Sequence, residues 1–429
     1  MKKFDIAMIA AGAAVLIMAF LFYPAKKINF GSTTLVFSQW FDSEDERAVI
    51  DDIIAEFEDS HPGINIIPVY RTYQSIRNDF AYYSGVTRNE QAFDKKNKRN
   101  DARELPDIVS IDPLWFDDSE EQILFANQNI SEASSIGVNN DVFSIPLYSY
   151  FNMLFYNIKI LEDAGFDRPP KTRGEFMSVC IKLKEKNIYG LSVSDNFFTD
   201  IFPWILSETG SNVQIFNSEE DNFDFSEKNV IESINFFNEI NAQNMLGRPP
   251  FIGNEEEKIN NFLAGKTAMM TASSRLIKLF EAEYSNLNFG VTNIPYSENY
   301  SGRPVFNMSS VHAAVLSASP HKEEALEFVK FLNDKKAALA AAAGAVSEDT
   351  ASSVFAYSRA ADMESGSPVF AKAQNMIESA ETVDDWKLFS ARAALNSIAG
   401  EEIIAMLKYN RGTDETAAAI KNRYAYIVE

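Results

Sequence analysis

Two apolar segments of the sequence are each followed by a hydrogen-bonding side chain and a flat aromatic side chain. Gln39 and Trp40 come directly after one apolar segment, and Asp112 and Trp115 come after another. An amide or a carboxylate exchanges hydrogen bonds, while an indole ring offers a broad apolar face. Residues of these types can bind and orient a ligand by hydrogen bonding and stacking.

The patterns that accompany catalysis or metal binding are missing from the sequence. The three histidines stand singly with no His-x-x-x-His pair, and the single cysteine, Cys180, cannot build a disulfide or a cysteine-based zinc site. No Gly-x-Ser-x-Gly, P-loop or Gly-x-Gly-x-x-Gly motif occurs. Glycoside hydrolysis needs a carboxylate pair, but among 61 acidic residues the sequence selects none. We therefore expect no enzyme activity, no metal and no cofactor.

The composition is that of an acidic globular protein. The chain of 429 residues has 61 acidic and 39 basic residues, which gives a formal net charge of −22. A surface of this charge repels phosphate backbones and argues against a nucleic-acid partner. With 46% hydrophobic residues, the length predicts two or three domains with their own cores.

The N-terminus carries an uncharged apolar run from Ile6 to Tyr23, flanked by lysines on both sides. As a helix it would be about 27 Å long at 1.5 Å per residue. A cleavable signal peptide needs small residues at its end, and this run ends in the bulky residues Phe20 to Tyr23. An uncleaved signal anchor over residues 1–30 therefore fits better, with a signal peptide as the alternative.

Segments with strand and helix periodicity alternate along the chain. Thr33 to Phe37, Ile64 to Tyr70 and Asp107 to Ile111 predict strands, and a helix is predicted between each pair of them. This alternation is typical of an α/β fold in which helices cover a parallel sheet. In such sheets ligands bind beyond the carboxyl ends of the strands, where the two hydrogen-bonding and aromatic pairs fall. The basic stretch from Arg88 to Arg103 predicts a solvated loop, with a docking patch as the alternative.

Six blocks of sequence follow one another between about residues 32 and 335, and they resemble a known family. They are Glu56-Phe57-Glu58-x-x-His61-Pro62-Gly63-Ile64; Leu105-Pro106-Asp107-Ile108-Val109; Ile145-Pro146 with Leu154-Phe155-Tyr156-Asn157; Leu161-x-x-Ala164-Gly165 with Pro170-Lys171-Thr172-x-x-Glu175-Phe176; Phe262-x-x-Gly265-Lys266-Thr267-Ala268-Met269; and Glu323-Glu324-Ala325-x-x-Phe328-Val329-x-Phe331-Leu332. The fourth block, for example, is similar to the family pattern P-K-T-W-x-E-F. In this order the blocks resemble the extracellular solute-binding proteins of the sugar-type, maltose-like and multiple-sugar-like ABC importers.

The resemblance implies a type II periplasmic-binding-protein fold, with two α/β lobes after an N-terminal hydrophobic helix. Three crossover segments would join the lobes, and we place them near 147–152, 307–310 and 348–352. The N-terminal lobe would comprise 31–148 plus 309–349, and the C-terminal lobe 149–308 plus 350–429. The lobes would close on a ligand in the cleft between them.

The resemblance also suggests which side chains contact the ligand. Sugars present C–H faces to aromatic rings and hydroxyls to polar groups. The candidate aromatic residues are Trp40, Trp115, Tyr148, Tyr150 and Trp204, and the candidate polar residues are Gln39, Asp112, Ser273, Ser274, Ser309 and Ser310. The alternative for the aromatic residues is core packing, and for Gln39 and Asp112 it is a role in a turn or helix cap.

Arg275 is the candidate that departs from the family pattern, because members often have an aromatic residue at its place. If Arg275 lines the cleft, its guanidinium would hold a carboxylate or phosphate through two hydrogen bonds. That geometry would favour an acidic sugar over a neutral one. The alternative is an exposed surface arginine.

The expected function is therefore ligand capture for transport. The protein would bind a carbohydrate or related solute and deliver it to the permease subunits of an ABC importer. We expect a monomer in the periplasm or at the extracytoplasmic face of the cell membrane, attached by the N-terminal helix. The alternative is a membrane-tethered receptor that uses the same fold without transport.

Overall fold

A mixed ten-stranded sheet with helices packed against it forms the frame of the protein. The computed structural model describes residues 32–40, 44–88, 105–115, 124–127, 136–138, 141–211, 216–217, 222–223, 227–247, 255–343, 367–384 and 392–428. The predicted N-terminal helix over 1–30 and the basic stretch beyond Arg88 lie outside these residues. Among the helices that are described, none combines the length and apolar character needed to cross a membrane.

The strands, in chain order, are β1 (Thr33–Gln39), β2 (Ile64–Tyr70), β3 (Ile108–Ile111), β4 (Ile136–Val138), β5 (Asp141–Asn157), β6 (Tyr189–Ser192), β7 (Phe216–Asn217), β8 (Asn222–Phe223), β9 (Thr267–Ser273), β10 (Phe289–Thr292), β11 (Val305–Val315) and β12 (Glu381–Asp384). The predicted strands over Thr33 to Phe37, Ile64 to Tyr70 and Asp107 to Ile111 are confirmed. β5, with 17 residues, is the longest of the described strands.

The helices are α1 (Glu44–Ser60), α2 (Tyr73–Arg88), α3 (Ile158–Asp163), α4 (Arg173–Glu185), α5 (Phe202–Thr209), α6 (Lys228–Ala242), α7 (Glu255–Leu263), α8 (Leu276–Glu283), α9 (Lys322–Asp334), α10 (Lys336–Ala343), α11 (Pro368–Glu378), α12 (Arg392–Tyr409) and α13 (Thr413–Val428). Local signals set several helix ends. The side chains of Asn157 and Thr172 cap α3 and α4 by accepting backbone N–H bonds, and Gly165 and Gly265 follow α3 and α7 with φ of 92° and 67°.

The first half of the sheet is parallel. β1 pairs in parallel with β2 on one side and with β3 on the other, and α1 and α2 form the connections. A parallel pair needs such a crossover helix, which packs back onto the sheet. Trp40 and Asp112 therefore follow neighbouring strands at the same edge, as predicted.

The long strands β5 and β11 pass from one half of the sheet to the other. They pair antiparallel with each other from Ile145 opposite Ala313 to Phe151 opposite Met308. β11 also pairs with β3, while β5 continues along β9 and β10. The predicted crossovers at 147–152 and 307–310 thus lie within continuous strands. The third, near 348–352, lies outside the described residues, so the number of crossovers stays a prediction.

Buried apolar side chains form separate clusters on the two sides of this crossing. One cluster joins β1 to β3 with α1, α9 and α10 and draws on residues between 35 and 150 and between 311 and 340. The others, around Trp204 and around Phe280, draw on residues from 151 onwards, apart from Leu114. The predicted lobe boundaries are compatible with this division and stay a prediction.

One strand lies among the helices of the described C-terminal residues, 367–384 and 392–428. Between α11 and α12 lies β12, which pairs in parallel with β11, Val305 standing opposite Glu381. Only Val383 in this strand is a buried apolar residue, so the segment has no alternating pattern that would predict a strand.

Candidate functional site

A narrow cleft lies where the two halves of the sheet meet. Side chains that follow β1 and β3, the end of β9, the middle of β5 and β11, and the first residues of α2 and α7 line it. The sequence-predicted residues among them are Trp40, Asp112, Tyr150, Ser273, Arg275, Ser309 and Ser310. The cleft encloses about 50 Å³, whereas ligand sites usually measure roughly 300–1,000 Å³. A sugar-sized ligand therefore requires its walls to move apart.

Packed aromatic rings form the wall contributed by the first half of the sheet. The Trp40 ring lies 5.3 Å from the Tyr73 ring and 5.0 Å from the Trp115 ring, measured between centroids. Tyr73 and Trp115 are themselves 4.9 Å apart in an edge-on arrangement. Tyr73 and Trp40 face the cleft, and Trp115 packs behind them without lining it. Such mutual contacts hold each ring in one orientation.

A hydrogen-bond chain ties these rings to Asp112. The Tyr73 hydroxyl donates to Oδ2 of Asp112 at 2.8 Å and accepts from Nε1 of Trp115 at 2.9 Å. Oδ1 of Asp112 accepts from the backbone N–H of Leu114 at 2.9 Å. Asp112 thus acts both in the turn after β3 and in the cleft wall, so its turn role and its predicted site position occur together.

Burial changes the pKa values of Asp112 and Tyr73. Burial raises the pKa of Asp112, and the hydrogen bonds from Leu114 and Tyr73 and the charges of Arg77 and Arg275 oppose the rise. Burial, followed by the negative charge of Asp112, raises the pKa of Tyr73 well above its ordinary value. Tyr73 therefore keeps its proton and stays a hydrogen-bond donor at neutral pH.

Arg275 lies in the cleft with acidic neighbours. Its guanidinium carbon is 5.5 Å from the centre of the Tyr73 ring, and its charge lowers the pKa of Asp112. Glu255, at the start of α7, lines the same cleft. The arginine is therefore not an isolated surface cation, because an aromatic face and carboxylates lie around it.

The opposite wall is built on a π-helical turn, Phe197–Ile201 with its N-cap Asn196, between β6 and α5. Asn196 and Thr199 of this turn line the cleft, and the Asn196 side chain accepts a hydrogen bond from the Thr199 N–H. Asn152 of β5 and Asn307 of β11 both donate to the carbonyl oxygen of Phe198, at 3.2 and 2.7 Å. The crossing strands therefore hold the turn in place.

A buried ion pair also holds this turn in place. Nζ of Lys258 lies 2.9 Å from Oδ1 of Asp200, and both side chains are fully buried. Lys258 also donates to the carbonyl oxygen of Thr271 at 2.9 Å, and Asp200 accepts from the Ser194 N–H and hydroxyl. Burial raises the pKa of Asp200, and the charge of Lys258 opposes that rise. The pair links α7, β9 and the turn that carries Thr199.

Some predicted site residues lie elsewhere. Tyr148 is buried in the first cluster and donates to Oε1 of Glu46 at 3.3 Å. Trp204 is fully buried, with Nε1 bonded to Thr271 at 3.0 Å and its ring stacked on Phe236. Both therefore show the core packing that was the alternative to ligand contact. Gln39 is also fully buried, and neither of its amide atoms has a hydrogen-bond partner among the described residues.

Several residues of the cleft were not predicted. They are Tyr73, Leu114, Asn152, Asn196, Thr199, Glu255 and Val311. Tyr73 begins the helix after β2, so the strand-end rule that selected Trp40 could have selected it too. Asn152 lies at the end of a predicted crossover. Asn196 and Glu255 carry no comparable local signal.

The described residues contain no group of three or more histidine, cysteine, aspartate or glutamate side chains that could hold a metal ion. The polar groups of the cleft are amides, hydroxyls, carboxylates and one guanidinium. Together with the aromatic wall, they can bind a hydroxylated solute by stacking and hydrogen bonding.

Comparison with known proteins also indicates solute binding. The family model of bacterial extracellular solute-binding proteins matches residues 42–339. The sn-glycerol-3-phosphate-binding periplasmic protein UgpB of Salmonella paratyphi A is 24% identical over 319 residues, which is 70% of each chain. UgpB of Shigella flexneri is 26% identical over 287 residues, and the match spans 63% of each chain, slightly less than two thirds.

Solved structures share the fold over nearly the whole chain. The GacH receptor of Streptomyces glaucescens, solved without ligand and with acarbose, has a TM-score of 0.68 at 16% identity and covers 92% of this chain and 97% of its own. The maltose/maltodextrin-binding domain MalE of Bdellovibrio bacteriovorus, bound to maltotriose, has a TM-score of 0.66 at 13% identity, with coverages of 92% and 100%. The protein thus has their mixed α/β fold, and with more than half of its length matched by the family model it belongs to the bacterial extracellular solute-binding proteins.

Proposed function

We propose that the protein is the substrate-binding component of an ABC importer. It captures a carbohydrate or a related hydroxylated solute in the cleft and delivers it to membrane permease subunits. Family membership supports the solute-binding role, and the relatives are named for glycerol phosphate or sugar binding. The observation that carries the proposal is the cleft itself, which combines an aromatic wall with hydrogen-bonding side chains from both halves of the sheet.

The cleft residues match the surface of a sugar. Trp40 and Tyr150 offer rings for C–H faces, while Asn152, Ser273 and Ser309 offer hydrogen-bonding groups for hydroxyls. These residues come from β5, β9 and β11 and from the end of β1, which belong to both halves of the sheet. A ligand that touches all of them stabilises the closed arrangement by its differential affinity for that state.

The charge around Arg275 favours a neutral ligand. The carboxylates of Asp112 and Glu255 share the cleft with the guanidinium, so the positive charge is already offset. Among the residues that line the cleft, a phosphate or carboxylate would approach the carboxylates of Asp112 and Glu255 as well as the Arg275 guanidinium. We therefore propose a neutral saccharide in place of the acidic sugar that Arg275 alone would favour, and glycerol 3-phosphate is the alternative to be separated by experiment.

The proposal also includes the oligomeric state, the location and the lobe arrangement of the protein. We propose a monomer outside the cytoplasm, attached by the hydrophobic segment 1–30, with two lobes joined by three crossovers. The uncharged apolar run from Ile6 to Tyr23 and the division of the apolar clusters support this arrangement. Such a protein opens to admit its ligand, which is consistent with the small volume of the cleft.

A thermal-shift screen of the full-length chain tests the ligand class. The panel contains mono-, di- and oligosaccharides, uronic acids, sugar phosphates, glycerol 3-phosphate, amino acids and polyamines. A ligand of the folded state adds RT ln(1 + [L]/Kd), about 2.7 kcal/mol at 100 times Kd. We expect a neutral saccharide to raise the melting temperature and to be recovered unchanged. A shift with amino acids alone would refute the carbohydrate assignment.

Variants locate the ligand. Trp40→Ala should remove the ligand-induced shift, whereas Tyr409→Ala, which alters an aromatic residue that is 71% exposed, should leave it unchanged. Arg275→Ala should leave saccharide binding within about threefold but would abolish binding of glycerol 3-phosphate if that were the ligand. Uptake of the identified ligand in cells with and without the protein then separates transport from a receptor role.

A further inference from the structure

A second concave surface lies apart from the cleft, on the side of α4 and α6. It is a groove of about 440 Å³ between the first residues of α4, the end of α5, one face of α6 and the segment 297–299. This volume lies within the range of about 300–1,000 Å³ typical of small-molecule sites. It shares no lining residue with the cleft.

Buried polar groups without partners line this groove. Arg173 and Ser297 are each 7% exposed, and neither Nε of Arg173 nor the hydroxyl of Ser297 has a hydrogen-bond partner among the described residues. The rest of the Arg173 guanidinium is engaged, with Nη1 3.0 Å from Glu208 and Nη2 2.8 Å from the carbonyl oxygen of Trp204. Buried polar groups are normally hydrogen-bonded, so the free Nε–H and hydroxyl point to an acceptor supplied from outside the chain.

Arg173 is also unusual in sequence. It stands in the block Pro170 to Phe176, where the related pattern P-K-T-W has a tryptophan. Its guanidinium lies 5.1 Å from the centre of the Phe236 ring, which lines the groove as well. A buried arginine in place of an apolar ring costs desolvation that only its surroundings can offset.

Those surroundings are acidic. The carboxylates that line the groove are Glu208, Glu232, Glu239 and Glu298. Burial lowers the pKa of Arg173, and the charges of these same glutamates oppose the fall. All four carboxylates therefore act on the Arg173 guanidinium. Glu208 pairs with the arginine, while Glu232, Glu239 and Glu298 are exposed at the rim. The groove therefore repels anions and attracts cations.

We propose that this groove binds a small organic cation that also carries hydroxyl groups, which is the chemistry of an amino sugar or an amino alcohol. The ammonium group lies among the rim glutamates, and hydroxyl oxygens accept from Nε of Arg173 and pair with the Ser297 hydroxyl. A metal ion is a poorer match, because no metal-binding cluster of acidic side chains is found among the described residues. This second site lies beyond the proposed transport function and does not depend on the ligand of the cleft.

Isothermal titration calorimetry with glucosamine tests the proposal, and glucose serves as the matched probe without an ammonium group. The titrations use the full-length chain carrying Trp40→Ala, which removes the contribution of the cleft, at about pH 6 so that the amine is protonated. We expect one site for glucosamine, at least about tenfold weaker binding of glucose, and weaker glucosamine binding at high ionic strength.

Variants of the groove residues test whether the heat of glucosamine binding comes from this site. Ser297→Ala should weaken glucosamine binding by about three- to tenfold without loss of thermal stability, because its hydroxyl has no partner to lose. Combining Glu239→Gln with Glu298→Gln should weaken it by about threefold or more. The control Ser379→Ala removes an exposed hydroxyl that donates to the carbonyl oxygen of Met376, and because neither residue lines the groove, affinity should not change.

Two results would overturn the proposal. One is glucosamine and glucose binding equally, or neither binding at millimolar concentration, in the Trp40→Ala chain. The other is unchanged glucosamine affinity in both Ser297→Ala and the double glutamine variant when circular dichroism shows that they are folded.

Discussion

Replacing Tyr73 with phenylalanine removes the one oxygen atom that joins the aromatic wall of the cleft to Asp112. In the protein this hydroxyl donates to Asp112 at 2.8 Å and accepts from Trp115 at 2.9 Å. Tyr73→Phe keeps the ring contacts with Trp40 and Trp115 but leaves a carboxylate oxygen and an indole N–H without this partner. The variant therefore isolates the hydrogen-bond chain from the packing.

The expected loss follows from these two bonds. A hydrogen bond to a charged group contributes about 1.5–3 kcal/mol and one between neutral groups about 0.5–1.5 kcal/mol. Tyr73 and Trp115 are only partly buried, so water from the cleft replaces part of the lost interaction. We expect the free energy of unfolding to fall by about 2 kcal/mol at neutral pH.

Urea unfolding measures this loss, and the chain contains a matched control. The Tyr70 hydroxyl donates to Asp51 at 3.0 Å at an exposed position, so Tyr70→Phe should cost less than about 0.5 kcal/mol. The cost of Tyr73→Phe should also shrink as pH falls below the raised pKa of Asp112, because a protonated carboxyl no longer presents an unpaired charge. Equal losses for the two variants, or a loss independent of pH, would refute the reasoning.

The remaining predictions concern other titratable groups. Lys258→Met should lower the free energy of unfolding by about 3–5 kcal/mol, because it leaves Asp200 charged and buried. Adding Asp200→Asn to this variant should recover at least half of that loss. A loss below about 1 kcal/mol, measured by urea unfolding, would contradict the burial of this pair. Burial raises the pKa of Asp112, so the folded chain holds this proton more tightly than the unfolded chain, and the contribution of Asp112 to stability falls as pH rises through the ordinary carboxyl range and the raised value. The stability of Asp112→Asn relative to the natural chain should therefore increase between about pH 3 and pH 7, and thermal unfolding across that range checks the sign. Arg168 lowers the pKa of Glu175 to about 2, so this carboxylate stabilises the fold above its usual range and loses that effect as pH falls through about 2. Because the Glu175 side chain is 39% exposed, Glu175→Gln should cost less than about 1 kcal/mol at neutral pH, and a larger loss in urea would contradict its exposure.

The strand-end residues of the first half of the sheet could be predicted because their signals are local. Apolar periodicity over a few residues marks β1 and β3, and the parallel arrangement of their connections places both carboxyl ends at one edge. Trp40 and Asp112 were identified by that rule alone. The order of the sequence blocks indicated the family, because such blocks record the same turns, caps and strands in one sequence.

The choice among aromatic residues could not be made locally. Trp40 and Trp204 are both tryptophans in apolar surroundings, yet one lines the cleft and the other is fully enclosed by Phe176, Phe236 and Thr271. Their different positions depend on segments far apart in sequence. Burial is a property of all the neighbours of a side chain, and periodicity reports only those on its own element.

For charged groups, too, the sequence determines some properties and the tertiary structure decides others. By itself the sequence determined an acidic α/β chain with a ligand edge at its first strands, because composition and short-range periodicity act within one segment. Only the tertiary structure decided that Lys258 meets Asp200 in the interior, that Arg275 has carboxylate neighbours, and that Arg173 lies among glutamates in a second groove. Each of these depends on Coulomb and hydrogen-bond contacts a few ångströms long between residues tens of positions apart, and only packing sets those distances.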